Sequence, residues 1–247
     1  MQSGRGYNYY ARDGRASSKV TRRREAELLT DELADPPPEN PDRILLQERK
    51  RHLAGWLDRL PRSGIHVLDV GGRLQPYRAM LKDRMERYIG LDPQLEGLVD
   101  VVGFGEALPF RDSCFDLLIC SQTLSYSTHP RRMVAEMYRV LKPGGALFLT
   151  APAFFPEHHD ENWRFLPGGL RLLLAGWSSV EILPEGNSAV GALRTIAILV
   201  NSNAQGGYQS SVIRRVSIRC LNGIARAMNS RPGSTWMTAN YSVWSVK

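Results

Sequence analysis

The stretch IHVLDVGGRLQPYRAML, residues 65–81, decides how this chain is expected to fold. Its first six residues are a mostly apolar run that predicts a buried strand, and Gly71 and Gly72 follow directly. A helix that starts after such a glycine turn presents free backbone N–H groups to an anion or a carboxylate. The turn therefore indicates a nucleotide-type cofactor, although Arg73 stands where a further glycine would be expected.

Apolar segments with the length of strands recur along the chain and alternate with segments of helical character. The predicted strands after the first are residues 87–92, 98–104, 114–121, 146–152 and 178–183, and the predicted helices are residues 77–85, 131–141 and 167–176. Nearly continuous apolar strands that alternate with helices are typical of a parallel sheet covered on both faces. The pattern thus predicts an α/β fold.

Four segments can be distinguished along the chain. Residues 1–41 combine a basic arm with the proline-rich connector DPPPENPD, and we expect the arm to be flexible. Residues 42–186 form the predicted core, which begins with an amphipathic helix capped by Asp42. Residues 187–234 are an insertion, and residues 235–247 include the alternating segment TANYSVWSVK, which predicts the final strand of the core.

Basic residues are concentrated in two peripheral segments of a chain whose net charge is +7. Residues 1–25 hold seven Lys or Arg and two Asp or Glu, and residues 201–234 hold five Arg and no acidic residue. Such segments bind an anionic membrane, nucleic acid or a phosphorylated substrate, or simply remain solvated. No nucleic-acid-binding motif accompanies the charge, so we do not expect a nucleic-acid partner.

The chain shows no pattern of a secreted or membrane-spanning protein. Residues 1–25 contain no apolar run, and no segment reaches the roughly 18–20 apolar residues that span a bilayer. The three cysteines are widely separated, which suits a reduced, cytoplasmic protein. We therefore expect a cytoplasmic location, with peripheral binding at the inner face of a membrane as an additional property.

The insertion contains YQSSVIRRVSIRCLNGIARAM, residues 208–228, which predicts a basic amphipathic helix. Its apolar side is expected to hold Ile213, Val216, Cys220, Ile224 and Met228, and its basic side Arg215, Arg219 and Arg226. A helix of this kind commonly meets either an anionic membrane surface or a second protein chain. We expect residues 208–228 to bind such a membrane or to form a homodimer.

Three later motifs carry a family resemblance: EALPFRDSCFDLLICSQTLSY (residues 106–126), MYRVLKPGGALFLTAP (137–152) and WRFLPGGL (163–170). In this order they resemble class I S-adenosylmethionine-dependent methyltransferases. The tripeptide PYR within QPYRAML (75–81) resembles the small-molecule and glycan branch of that superfamily. The resemblance implies a three-layer, Rossmann-like fold with a mostly parallel seven-stranded sheet and an antiparallel last strand. The segment 238–247 fits that last strand.

The same resemblance implies S-adenosyl-L-methionine as the cofactor and a set of residues around it. These are Asp69, Gly71, Gly72 and Arg73 at its methionine part, Asp92 at the ribose, Phe104, Glu106, Ala107 and Leu108 at the adenine, and Ser121 and Gln122 near the transferred methyl group. Arg73 and Phe104 depart from the family pattern. Arg73 either grips the cofactor carboxylate or fills its place, and Phe104 either stacks on adenine or blocks it. As an alternative, Asp69 and Asp92 merely cap turns.

The segment PEHHDENWR, residues 156–164, is the richest cluster of titratable groups in the chain. It follows the fifth strand at the sheet edge where ligands bind in such folds. We predict that His158, His159 and Asp160 supply a general base. An exposed polar loop and a divalent metal site are the alternatives, and we assign no metal. Trp163 and Arg164 either bind the acceptor by stacking and ion pairing or pack as part of a lid.

The resemblance implies a transferase that methylates an oxygen of a sugar, glycolipid or related secondary metabolite. The acceptor is then a small molecule or a lipid-linked glycan, and the protein belongs to glycan or secondary-metabolite biosynthesis. The alternative is a catalytically inactive subunit of the same fold that acts through a partner protein.

Overall fold

The computed structural model describes residues 19–154, 160–203, 208–231 and 233–247. The helices are α1 (Lys19–Ala34), α2 (Arg43–Leu57), α3 (Pro130–Val140), α4 (Pro167–Leu173), α5 (Ser188–Asn203) and α6 (Tyr208–Asn229). The strands are β1 (Ile65–Val70), β2 (Met85–Asp92), β3 (Val101–Val102), β4 (Phe115–Ser121), β5 (Leu141–Pro152), β6 (Ser179–Pro184) and β7 (Asn240–Val246). Within these residues, no helix is both long and apolar enough to cross a membrane.

All seven strands belong to one sheet, in the order β3-β2-β1-β4-β5-β7-β6. Pairs among β1 to β5 are parallel, whereas β7 runs antiparallel to both of its neighbours, β5 and β6. The predicted α/β fold with an antiparallel last strand is therefore confirmed.

The two faces of the sheet build separate apolar clusters, which makes the domain three layers thick. Leu117 and Leu118 are adjacent in β4 and enter different clusters because successive side chains of a strand point to opposite faces. Leu118 packs with α3 and α4, whereas Leu117 packs with Leu53 and Trp56 of α2. Helix α6 lies outside α2, and a third cluster joins α2, α5 and α6.

Three predicted elements are clearly wrong in length, one of them the fifth strand, which is predicted for residues 146–152 and begins already at Leu141. Residues 77–85 contain only a short 3-10 helix, Arg78–Leu81, because β2 begins at Met85 and pairs with the start of β1. The predicted strand 98–104 is reduced to Val101–Val102, since the Asp100 side chain instead accepts a hydrogen bond from the backbone N–H of Gly90.

The segment before β1 also differs from expectation. Part of the predicted flexible arm forms α1, which is anchored where Thr30 Oγ1 donates to the carbonyl of Leu74. Asp42 precedes α2 but makes no capping hydrogen bond, because its carboxylate pairs with Arg194 of α5. Helix α1 therefore lies against the chain that follows the glycine turn.

Candidate active site at the carboxyl edge of the sheet

The site is defined by the ends of four neighbouring parallel strands. Strand β1 ends at Val70, β2 at Asp92, β4 at Ser121 and β5 at Pro152. Because parallel strands end at the same edge of a sheet, the residues that follow them come together there. Most of the residues implied by the resemblance lie at or just after these ends.

The glycine turn uses its backbone donors within the sheet. The N–H groups of Gly71 and Gly72 both donate to the carbonyl of Leu91, at 2.7 and 3.0 Å. Gly71 has a φ of +82°, and a Cβ there would overlap the Thr123 side chain. No α-helix follows directly. The expectation of free helix N-terminal donors at this turn is therefore wrong, because β2 takes up these N–H groups.

Asp69 supports the turn from inside the sheet. Its carboxylate is buried and accepts a 2.6 Å hydrogen bond from the Tyr88 hydroxyl. Burial raises the pKa of Asp69 to about 7, against the opposing effect of the Tyr88 hydrogen bond. The Asp69 side chain thus links β1 to β2 just before the turn, through a tyrosine that the sequence analysis does not single out.

Arg73 is directed to the loop that follows β2. Its Nη1 lies 3.5 Å from Glu96 Oε2, and its backbone carbonyl accepts from the N–H of Leu98. Burial raises the pKa of Asp92, and the positive charge of the Arg73 guanidinium opposes this increase. Arg73 therefore belongs to the wall between the ends of β1 and β2.

Asp92 and Phe104 are neighbours at the edge. Asp92 Oδ1 accepts from the N–H of Gln94 at 2.9 Å, and burial raises the pKa of the Asp92 carboxyl. The Asp92 carbonyl accepts from the N–H of Gly103, which brings the following residue, Phe104, close to the end of β2. The Phe104 side chain is 66% exposed, so a flat ring is available beside a carboxylate.

The next predicted residues divide between surface and core. Glu106 accepts a hydrogen bond from the Ser127 hydroxyl, which links it to the loop after β4. Ala107 is exposed, whereas the Leu108 side chain is buried in the core cluster with α3 and α4. The backbone N–H of Leu108 donates to Glu136 and its carbonyl accepts from Arg139, so Leu108 is tied to α3.

A buried polar network that sequence reasoning misses lies beneath Ser121 and Gln122. Thr150 Oγ1 is 3.0 Å from Ser121 Oγ and accepts from Gln122 Nε2 at 3.0 Å. The Tyr77 hydroxyl lies 3.3 Å from Ser121 Oγ. Burial raises the pKa of Tyr77, while the nearby Arg49 guanidinium lowers it. The only sequence signal for these residues is that Tyr77 and Thr150 lie in QPYRAML and ALFLTAP.

The network continues to a buried ion pair. Arg49 donates two 2.8 Å hydrogen bonds to Glu185, and Ser242 Oγ donates a third to the same carboxylate. Glu185 raises the pKa of the Arg49 guanidinium, against the effect of burial. The cation is thus fixed in place below the carboxyl edge of the sheet.

The loop after β5 closes over the loop after β4. His158 and His159 lie outside the described residues, and Asp160 is exposed, with a φ of +62°. Glu161 Oε1 accepts from Ser125 Oγ at 3.1 Å, and Glu161 Oε2 lies 2.8 Å from Arg164 Nη1. In the described part of the chain, no three His, Cys, Asp or Glu side chains are grouped as metal ligands.

Beside these loops, a cavity of about 770 Å³ opens between the start of α3 and α4. Its wall includes the predicted acceptor residues Trp163 and Arg164, and Trp163 Nε1 donates to the carbonyl of Ser127 at 2.8 Å. The remaining wall combines basic and apolar side chains, among them Arg131, Arg132, Phe165, Leu166, Leu172 and Leu173. Sequence reasoning misses Arg131 and Arg132, which are exposed residues in the first turn of a helix.

Residues 68–149 match the family model described as "Methyltransferase domain". Over 152 residues the chain is 32% identical to the ubiquinone/menaquinone biosynthesis C-methyltransferase UbiE of Acidiphilium cryptum, covering 56% of this chain and 54% of that protein. It is 29% identical over 91 residues to the thiol S-methyltransferase TMT1B of Rattus norvegicus, covering 33% and 37%. The chain thus spans about half or less of the length of these relatives.

Solved structures share the fold. A SAM-dependent methyltransferase from Archaeoglobus fulgidus superposes with a TM-score of 0.50 at 16% identity, covering 80% of this chain and 94% of that one. The phosphoethanolamine N-methyltransferase 2 of Haemonchus contortus, solved with S-adenosylhomocysteine, gives 0.52 at 12% identity, covering 79% and 52%. The predicted resemblance to class I S-adenosylmethionine-dependent methyltransferases is therefore confirmed.

Proposed function

We propose that this chain, whose residues 68–149 match a methyltransferase domain, uses S-adenosylmethionine to transfer a methyl group to a hydroxyl oxygen of a sugar, glycolipid or related secondary metabolite. The observation that carries the proposal is the cavity beside the loops after β4 and β5, which combines arginines, a tryptophan and leucines in one wall. The family match supports the predictions that the chain is an enzyme and that S-adenosylmethionine is its cofactor.

The residues at the ends of β2 and β3 fit that cofactor. A carboxylate at the end of a second parallel strand is suited to a ribose diol, and Asp92 has this position. The exposed Phe104 ring next to it offers a flat apolar surface for a purine base. When bound, S-adenosylmethionine supplies a methyl group that is activated by its sulfonium.

The cavity fits an acceptor with a polar ring, an anionic group and an apolar part. The half-exposed face of Trp163 can stack on a sugar, while Leu166 and Leu172 are apolar and exposed. Arg131 and Arg132 bring cations to the same wall, and guanidinium groups pair well with phosphate or carboxylate. A glycolipid with an acidic headgroup combines these three features.

The chain's own part in the chemistry is to orient the acceptor hydroxyl and to accept its proton. In-line approach accounts for most of the rate in reactions of this kind, so a fixed acceptor pocket is the main requirement. Asp160 lies exposed in the loop after β5 and is the described member of the predicted base cluster. Trp163 and Glu161 anchor that loop to Ser127 and Ser125 of the neighbouring loop.

A second candidate is a non-catalytic subunit with the same fold, acting with an active partner. The observation that favours it is the closed glycine turn, where the N–H groups of both Gly71 and Gly72 are used by Leu91. A turn without free donors offers less to the cofactor carboxylate than an open helix N-terminus does.

Calorimetric titration with S-adenosylmethionine and S-adenosylhomocysteine tests the proposal. We expect binding in the micromolar range, and Asp92→Ala should weaken it by about 1.5–3 kcal/mol, the range for hydrogen bonds to a charged group. Asp58→Ala is the matched control, because Asp58 is exposed and pairs with Arg84 at the far end of α2. The control should bind as tightly as the parent.

If the folded protein shows no binding at millimolar cofactor, the proposed enzymatic function is contradicted and the non-catalytic subunit is favoured. If the cofactor binds, transfer of a labelled methyl group to acidic glycolipids but not to neutral ones supports the acceptor class. Transfer only to a nitrogen, carbon or sulfur nucleophile would support methyltransferase activity but contradict the proposed oxygen acceptor.

A further inference from the structure

The helical hairpin of α5 and α6 is attached to the domain by contacts from both helices, and α6 uses one of its faces for them. Ile218, Asn222 and Ala225 of α6 are buried. Asn222 Nδ2 donates to the backbone carbonyls of Pro38 and Asn40, both at 2.9 Å. These contacts fix which side of α6 faces the protein.

The apolar stripe that the sequence predicts on α6 lies on the other side. Ile213, Val216, Ile224 and Met228 are all exposed, with Ile213 at 67%. They share a face, as predicted, but that face is turned away from α2 because the residues with buried side chains take the opposite side. The helix therefore presents large apolar side chains to its surroundings.

Further apolar side chains are exposed near the end of the hairpin. Ile196 and Leu199 in the second half of α5 are exposed, as is Val212 near the start of α6. A hydrogen bond of 2.6 Å from Arg214 to Asn201 joins the two helices at this end. The apolar surface thus extends beyond a single helix.

Every charged side chain that α5 and α6 themselves contribute to this surface is an arginine. The sequence from Gly186 to Lys247 contains seven Lys or Arg and no Asp or Glu. Arg215 is exposed, and Arg219 is 55% exposed although it lies 3.2 Å from Glu39. On a helical wheel Arg215 and Arg219 lie on one flank of α6, between its buried face and the apolar stripe, and their long side chains can extend from there toward the level of the stripe. Exposed apolar side chains together with arginines are complementary to a partner that has an apolar interior and an anionic surface.

We propose that the exposed face of α6 docks on an anionic lipid bilayer. Its isoleucine, valine and methionine side chains enter the boundary between headgroups and acyl chains, and Arg215 and Arg219 remain at the level of the lipid phosphates. The stripe is short, so the binding is reversible. The surface is separate from the methyl-transfer site, so docking does not depend on the proposed reaction.

A second copy of the chain is a poorer partner for this face. A two-fold dimer places the same patch of both chains in contact, so residues near the axis meet their own copies. Arg215 and Arg219 would then approach the arginines of the other copy, and α6 carries no carboxylate to compensate them. Lipid phosphates supply the opposite charge that a second copy lacks.

Co-sedimentation with vesicles tests the proposal on the full chain. We expect binding to vesicles of phosphatidylcholine with 30% phosphatidylglycerol at low salt, and little binding to pure phosphatidylcholine or at high salt. Arg215→Glu should weaken binding about tenfold, because each basic residue near the surface contributes and the change reverses one charge. Arg171→Glu on α4 is the matched control, since it alters the same charge on another exposed surface.

The apolar contribution has its own variant. Ile224→Ser should reduce vesicle binding severalfold and leave the thermal unfolding of the protein unchanged, because the side chain is exposed. Protein that stays in the supernatant with anionic vesicles at low salt would overturn the proposal. So would equal weakening by Arg215→Glu and Arg171→Glu, or a stable dimer that Ile224→Ser dissociates. None of these readouts involves cofactor binding or methyl transfer.

Discussion

Helices α2 and α6 have amphipathic sequences of the same kind and reach opposite situations in the fold. In α2, the apolar positions Leu53 and Trp56 are 0% and 2% exposed and pack against the sheet. In α6, the apolar positions Ile213 and Ile224 are 67% and 51% exposed. A helical period identifies which side chains share a face, but it does not say whether that face meets the protein.

The difference lies in the residues that form the packing face. Helix α2 covers the sheet with large apolar side chains, whereas α6 packs on the outside of α2 with a face that includes Asn222 and Ala225. Ala225 allows close approach, and Asn222 satisfies backbone carbonyls of the proline-rich connector. Small and polar residues at an interface have a low apolar signal, so the packing face of α6 is not conspicuous in its sequence.

The largest expected effect comes from comparing one ion pair on each helix. Glu185→Ala leaves the Arg49 guanidinium of α2 buried without its carboxylate, which should cost about 3–5 kcal/mol in the free energy of unfolding. Glu39→Ala removes the partner of Arg219 on α6, an exposed pair, and should cost no more than about 1 kcal/mol. Urea unfolding at pH 7 measures both. Similar losses would remove the contrast between the two helices.

Apolar truncations give the next largest contrast. Leu53→Ala empties a fully buried position of α2 and should destabilise the protein by about 2–5 kcal/mol. Ile224→Ala shortens an exposed side chain of α6 and should stay within about 0.5 kcal/mol of the parent. Urea unfolding measures both changes. A decrease of more than about 2 kcal/mol in the free energy of unfolding for Ile224→Ala would mean that this face of α6 is packed in solution.

The smallest effect tests the packing face of α6 itself. Asn222→Ala leaves the carbonyls of Pro38 and Asn40 without this donor, so we expect a loss of about 1–3 kcal/mol. Arg226→Ala is the control on the same helix, because the exposed Arg226 guanidinium donates a hydrogen bond to the side chain of Gln47 at the surface. It should change stability by less than about 0.5 kcal/mol. Equal losses would show that the hairpin is held by its charged side.

The central strands could be predicted from sequence because their signal is local. The strand Ile65–Val70 has the predicted bounds, since a buried parallel strand requires a continuous apolar run. The helix predicted for residues 77–85 fails because the register between β1 and β2 leaves little chain for it. Register is a property of two segments together, and neither sequence alone contains it.

The candidate site shows the same division. Asp92 and Phe104 lie at the strand ends where the motif order places them. The use of the Gly71 N–H by Leu91 depends on how β2 lies beside β1, so the motif could not reveal it. Glu185 is 136 residues from Arg49, and no periodicity links two such distant positions. Contacts of this range arise only from the folded topology.

The interior position of β7 has a consequence for how the protein is made. Strand β7 separates β5 from β6 and pairs with both, yet the ribosome produces it only after α5 and α6. At about 5–20 residues per second, the nascent β5 waits several seconds or longer with an unpaired edge. An unpaired edge strand invites association with other chains, so we expect the unfinished chain to be most prone to aggregation before β7 emerges.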